Sequence, residues 1–216
     1  MNSVSVKVCG ITRTVDAGLA LELGAEKLGF IIHEKSPRKI SLSEIDKIKA
    51  ELSLDSSKMV AVEVTPDLDH LKQIQLNGFG VFQLHFPHDF SREIIKQWSD
   101  LVGPGNLWLA PRLPTGIDFP EDILPYANTF LIDAYSKDKF GGTGELSDWK
   151  SFSHWSQIYN SKKWILAGGI SPENIHDAMS KTKSSHYDVN SGIELTPGIK
   201  DPNLMRILFS KLFTNI

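Results

Sequence analysis

Eight short apolar, β-branched runs alternate with longer amphipathic stretches along this chain, and that alternation limits its fold more than any other feature. The runs are Val4 to Cys9, Lys27 to Ile32, Met59 to Val64, Val81 to Leu84, Leu107 to Ala110, Thr129 to Ile132, Trp164 to Ala167 and His186 to Val189. Such βα units build a parallel sheet, either closed as a barrel or open and doubly wound. An open sheet usually carries a Gly-rich phosphate turn after its first strand. Here the first strand runs into Cys9-Gly10-Ile11-Thr12, and the Gly-rich turns come late. The expectation is an α/β fold, a TIM (β/α)8 barrel with eight parallel strands, formed by residues 1–216 as one domain. A length of 216 residues sits at the lower end of what such a barrel needs.

Helix starts are readable between the runs. Ser43 with Asp46 three residues on, and Ser171-Pro172-Glu173-Asn174, have the pattern of an N-cap followed by a first turn, with Pro172 at the first helical position. The stretch Pro111 to Pro125, rich in Pro and Gly, predicts a loop with a short or distorted helix in the fifth unit.

Composition narrows the function classes. A formal net charge of -3, with no cluster of Lys and Arg, disfavours nucleic-acid binding. No apolar run approaches the roughly 20 residues that span a bilayer. The N-terminus lacks a secretory signal pattern, so a cytoplasmic location is expected. Cys9 is the single cysteine, which rules out an intrachain disulfide and a zinc site built from several thiolates. His85 and His88 have a spacing that could suit a metal, yet no third ligand accompanies them, and no metal or cofactor is expected.

In a barrel the chemistry gathers where the strands end, and two groups stand there: Cys9 closes the first strand, and Asp133 follows Phe130-Leu131-Ile132 of the sixth. A thiol and a carboxyl group across a small substrate can act as general base and general acid. Lys7, on the same side of the strand as Cys9, can aid the thiolate. Taken alone, a single Cys in an apolar strand is more often an inert core residue, and a carboxylate after a strand more often a cap. Three consecutive Gly-rich turns change that balance. They are Gly141-Gly142-Thr143-Gly144, Gly168-Gly169-Ile170-Ser171 and Asn190-Ser191-Gly192, after strands six, seven and eight. Glycines allow close backbone approach to an anion, and barrels often bind phosphate after strands seven and eight. Arg38, in a loop after strand two, has a planar fork suited to a carboxylate.

Lys7-Val8-Cys9-Gly10-Ile11-Thr12, Gly29-Phe30, Ser36-Pro37-Arg38-Lys39-Ile40-Ser41 and Gln83-Leu84-His85 are followed by Asp133 and by Gly141 to Gly144 with Asp148-Trp149. Leu166 to Ile170, Pro172-Glu173-Asn174, Asp188 to Glu194, Pro197-Gly198 and Lys200-Asp201 complete the series. In order and spacing, across almost the whole length, the chain resembles phosphoribosylanthranilate isomerase of tryptophan biosynthesis. The resemblance implies an Amadori rearrangement of N-(5-phosphoribosyl)anthranilate without metal or organic cofactor. It implies Asp133 as the acid that opens the ring and Cys9 as the base at sugar C2. Arg38 would hold the anthranilate carboxylate, the backbone around Gly142, Gly168, Gly169, Ser191 and Gly192 the phosphate, and His85 would join the substrate-binding set. The partner is then a small phosphorylated sugar amine; charge and hydropathy point to neither nucleic acid nor membrane, and a monomer or weak homodimer is the default expectation.

Departures from the family pattern are Phe86-Pro87 after Gln-Leu-His, Glu63 and Thr65 in and after the third strand, His33-Glu34, Asn190 and Arg112. They leave open a paralogue acting on another phosphorylated aldose amine, or a non-catalytic barrel that binds a phosphometabolite.

Overall fold

The structure, a computed structural model, describes residues 4–114, 116–133 and 149–213. Strands β1 (Ser5–Val8), β2 (Lys27–Ile31), β3 (Met59–Val64), β4 (Val81–Pro87), β5 (Leu107–Arg112), β6 (Thr129–Ile132), β7 (Lys163–Leu166) and β8 (His186–Val189) pair in sequential order. All pairs are parallel, and β8 returns to β1 to close the barrel. Helices α1 (Thr14–Glu22), α2 (Leu42–Leu52), α3 (Leu68–Leu76), α4 (Arg92–Val102), α5 (Trp149–Ile158), α6 (Ile175–Thr182) and α7 (Pro202–Phe213) cover it.

Alternation along the strands separates two apolar layers. The inner layer holds Val60, Val62, Val81, Trp108, Ala110, Leu131, Ile165 and Ala167, together with Cys9. The outer layer sets Val6, Val8, Leu28, Phe30, Leu84 and Phe130 of the strands against helix residues such as Ile45, Ile74, Ile95, Trp98 and Leu208. Both faces of every strand are therefore committed, which is why the strands read as near-continuous apolar runs.

The fifth unit is a 3-10 turn, Glu121–Tyr126, with Pro125 inside it. Proline supplies no N–H and its ring crowds the preceding turn, so a regular helix does not form there. Two helix starts differ from the sequence expectation. The cap of α2 is Ser41, whose hydroxyl accepts from the Glu44 amide at 3.3 Å while the Glu44 carboxylate accepts from the Ser41 amide at 3.0 Å. Ser43 lies inside the helix. At α6 the cap is Asn174, not Ser171. The Asn174 side chain accepts from the Ser171 amide at 2.9 Å and donates to the Gly169 carbonyl at 2.7 Å, closing a separate turn before the helix begins.

After β8 the chain makes a 3-10 turn, Ser191–Ile193, and a small antiparallel hairpin, β9 (Glu194–Thr196) and β10 (Ile199–Lys200), before entering α7. That hairpin carries Glu194 and Lys200 to the end of the barrel where the strands finish.

Candidate active site

Cys9 follows β1 and is 4% exposed, its amide donating to the Val189 carbonyl at 2.8 Å. Its neighbours in the inner layer include Leu131 of β6. Asp133, two residues on and in the same inward row, is exposed at the end of β6. The two groups thus end their strands on the inner side, at the same end of the barrel. Burial pushes the Cys9 thiol up from its ordinary value, the charge of Asp188 pushes it further, and Lys7 acts against both.

The turns after β7 and β8 converge. A Cβ placed on Gly192 would lie 2.1 Å from the Ile170 carbonyl oxygen and 2.8 Å from Ser171 Cβ, so the second turn rests directly on the first. Gly168 and Gly169 have φ values of 82° and 66°, in the left-handed region that other residues rarely adopt. The amides of Gly168, Gly169, Ser191 and Gly192 donate to no acceptor among the described residues. Four unspent N–H groups in adjoining turns make a cradle suited to an anion. Gly142, also expected there, lies outside the described residues.

Arg38 is held edge-on by Glu194. Its Nε lies 3.0 Å and 2.9 Å from the two carboxylate oxygens, and its Nη2 2.7 Å from one of them. Lys200 Nζ donates to the same carboxylate at 2.8 Å and to Asn190 Oδ1 at 2.9 Å. Burial alone would raise the Glu194 carboxyl, but the hydrogen bonds and charges of Arg38 and Lys200 prevail and hold it below its ordinary value. Glu194→Gln leaves two cations facing a neutral amide, and we expect it to cost about 3 kcal/mol, seen as a lower Tm. The sign with pH follows from the lowered carboxyl. The contribution is present above the unfolded value, near 4.3, and is lost as pH falls through the folded one. Acid unfolding below about pH 4 should therefore be steeper in the parent than in the variant.

His85 stands at the inward side of β4, its Nε2 2.8 Å from Gln83 Nε2. Burial, with Lys7, Arg112 and His33 nearby, pushes its imidazole down to about 4, so it is neutral at physiological pH. The Gln83 amide donates, so Nε2 of His85 accepts and Nδ1 carries the proton. Among the described residues no group of three or more His, Cys, Asp or Glu side chains is placed to hold a metal. A cavity of about 520 Å³ lies at the other end of the barrel, lined by Ser5, Lys27, Thr129, Lys163 and His186 among others. None of the residues above except Lys7 borders it. In barrels of this kind that end serves stability, while the strand C-termini carry the chemistry.

The family model for N-(5'-phosphoribosyl)anthranilate (PRA) isomerase matches residues 6–211. The chain belongs to that family. A curated N-(5'-phosphoribosyl)anthranilate isomerase of Trichodesmium erythraeum is 36% identical, over 97% of this chain and 97% of its own. The phosphoribosyl anthranilate isomerase of Thermus thermophilus superposes with a TM-score of 0.77 at 28% identity, covering 98% of this chain and all of that one. That of Thermotoga maritima gives 0.78 at 25%, over 99% and 100%.

Against this isomerase family the unusual residues fall into two groups. Phe86 is 1% exposed and packs outward against Phe90 and Trp98, so it does not line the mouth. Glu63 is likewise buried, 2.7 Å from His33 Nδ1 and 3.1 Å from His70 Nε2. Asn190, by contrast, touches the site through Lys200. Sequence reasoning missed the roles of Asp188, Glu194 and Lys200. A period-two reading of β8, which puts Asp188 on the inward row, is the signal that could have found the first of them.

Proposed function

We propose that this isomerase carries out the Amadori rearrangement of N-(5'-phosphoribosyl)anthranilate with Asp133 as general acid and Cys9 as general base. Asp133 gives its proton to the furanose ring oxygen as the C1–O bond breaks, and the nitrogen lone pair forms the Schiff base. Cys9, as thiolate, removes the C2 proton, and the electron pair of that bond enters C1=C2 to neutralise the nitrogen. The enolamine then takes a proton at C1 while its 2-hydroxyl gives up a proton and C2=O forms, which yields the 2-ketone, 1-(2-carboxyphenylamino)-1-deoxyribulose 5-phosphate.

The amides of Gly168, Gly169, Ser191 and Gly192 hold the phosphate at one end of the substrate. Arg38, fixed by Glu194, turns its remaining Nη1 edge to the anthranilate carboxylate, and the Nδ1–H of neutral His85 supplies a further donor. Anchoring both ends places C1 and C2 between thiol and acid, so orientation contributes much of the rate. The protein works on this small molecule as a monomer or weak homodimer in the cytoplasm. No helix among the described residues is long and apolar enough to cross a membrane.

The observation that carries this reading is the near full-length family match combined with Cys9 and Asp133 ending β1 and β6 at the same end of the barrel. The purified protein should convert the phosphoribosyl compound with kcat/KM of about 10⁴ M⁻¹s⁻¹ or more. It should also restore growth to a tryptophan auxotroph lacking the isomerase. Soluble expression without turnover or growth would reject the assignment.

A further inference from the structure

The barrel interior brings a third proton-handling group to the thiol. Lys7 pairs with Asp188 across the β1–β8 ladder, and its ammonium donates to the Asp188 carboxylate at 2.8 Å. Lys7, Cys9 and Asp188 are 2%, 4% and 8% exposed, so water does little to screen them. Gly29, on the adjoining strand β2, makes the space where they meet. A Cβ there would fall 2.8 Å from Lys7 Nζ and 2.9 Å from Cys9 Sγ, so amine and thiol share the volume a side chain would fill. Amine and sulfur thus face one another across this space, and the Lys7 charge acts on the thiol.

One cation thus serves two acids. If Cys9 and Asp188 were both ionised, the triad would carry an unbalanced negative charge inside the barrel, which is costly where water is excluded. The two acids therefore share one proton and titrate as a coupled pair. Burial pushes the Asp188 carboxyl up as well, which makes it a better proton acceptor than a solvated aspartate. Lys200 is the other charge acting on both acids. It shares the Glu194 carboxylate with Arg38, so part of its positive charge is left over and offsets the negative charge of the triad only in part. Neutral His85 faces Lys7 from β4. From β2 the neighbours are Gly29 and Ile31, which do not titrate.

We propose that Asp188 competes with Cys9 for the Lys7 ammonium and so sets the pH at which the thiol becomes a base. Lys7 remains a cation throughout. While it is paired with the Asp188 carboxylate the thiol keeps its proton; when the proton shared by the two acids rests on Asp188 or has left for solvent, the S–H electron pair stays on sulfur and the ammonium turns to the thiolate. Asp188 is a positioning residue in this scheme, acting on the substrate only through Cys9.

The proposal builds on Cys9 as the base, but its test needs no substrate. Thiolate absorbance near 240 nm is titrated against pH in the whole protein, where Cys9 is the single thiol, with Cys9→Ser as the blank. Asp188→Asn keeps an oxygen for Lys7 yet removes the competing charge. It should shift thiolate formation to lower pH by at least about one unit, a tenfold gain in thiolate at fixed pH. The rising limb of kcat/KM should move with it. Lys7→Met should shift the titration the other way. An Asp188→Asn titration that matches the parent, or that moves upward, overturns the proposal even if Lys7→Met fails to fold. Failure of the base assignment would appear separately, as full turnover in Cys9→Ser.

Discussion

Replacing Cys9 by serine, or Asp133 by asparagine, is expected to lower kcat by about 10²- to 10⁴-fold while leaving the barrel folded. Serine keeps the volume of the side chain and can still accept from Lys7, but its hydroxyl does not ionise near neutral pH. Asparagine keeps the shape of Asp133 and has no proton to give to the ring oxygen. The variants should also stop at different points. Cys9→Ser leaves ring opening intact, so borohydride added with substrate should trap a reduced open-chain amine. Asp133→Asn should yield much less of it. Because burial and Asp188 hold the Cys9 thiol above its ordinary value, the thiolate fraction grows with pH. Parental kcat/KM should therefore climb through the neutral and alkaline range, and the Cys9→Ser profile should lose that limb. Parental rates in both variants would remove these residues from the mechanism.

The architecture was legible because each strand of the barrel is buried on both faces, which leaves a local mark in the sequence. Met59–Val64, Thr129–Ile132 and His186–Val189 fall where the apolar runs place them, and the other strands extend or retreat by one to three residues. Pro125 announced the irregular fifth unit through its missing N–H. Helix starts were less legible, since Ser41 and Ser43 carry the same hydroxyl and only backbone geometry selects which one caps.

The site divides in the same way. Cys9 and Asp133 could be placed because strand ends are local features. The pairings that give them meaning are not local. Lys7 meets Asp188 across 181 positions, and Arg38 meets Glu194 across 156. A lysine inside an apolar strand does demand a counter-ion, but nothing in the sequence says which carboxylate supplies it. The same limit explains Arg38, which reads as a solvated or ligand-facing loop residue until the hairpin after β8 brings Glu194 against it. Phe86 and Glu63 show the converse, as residues near the end of a strand that turn outward into packing.

Gly192→Ala tests whether the two turns act as one phosphate cradle. The added methyl would sit 2.1 Å from the Ile170 carbonyl oxygen and 2.9 Å from its carbon, both main-chain atoms that no rotamer change can move aside. The turn after β8 must then lift away from the turn after β7, and the amides of Ser191 and Gly192 leave the position where they converge with Gly168 and Gly169. Overpacking of this kind costs about 1–3 kcal/mol in stability. The larger effect is expected on binding, with KM for the phosphoribosyl substrate raised by at least about tenfold and kcat changed less, since phosphate contacts act in ground and transition states alike. Inorganic phosphate should inhibit the parent competitively and the variant far more weakly. Gly18→Ala is the matched control. It lies within α1, where the nearest atom to a new Cβ is 3.8 Å away, so it should be neutral or slightly stabilising through helix propensity. If Gly192→Ala bound substrate and phosphate as the parent does, the phosphate would have to be held elsewhere, and the remaining candidate among the expected positions would be the turn containing Gly142.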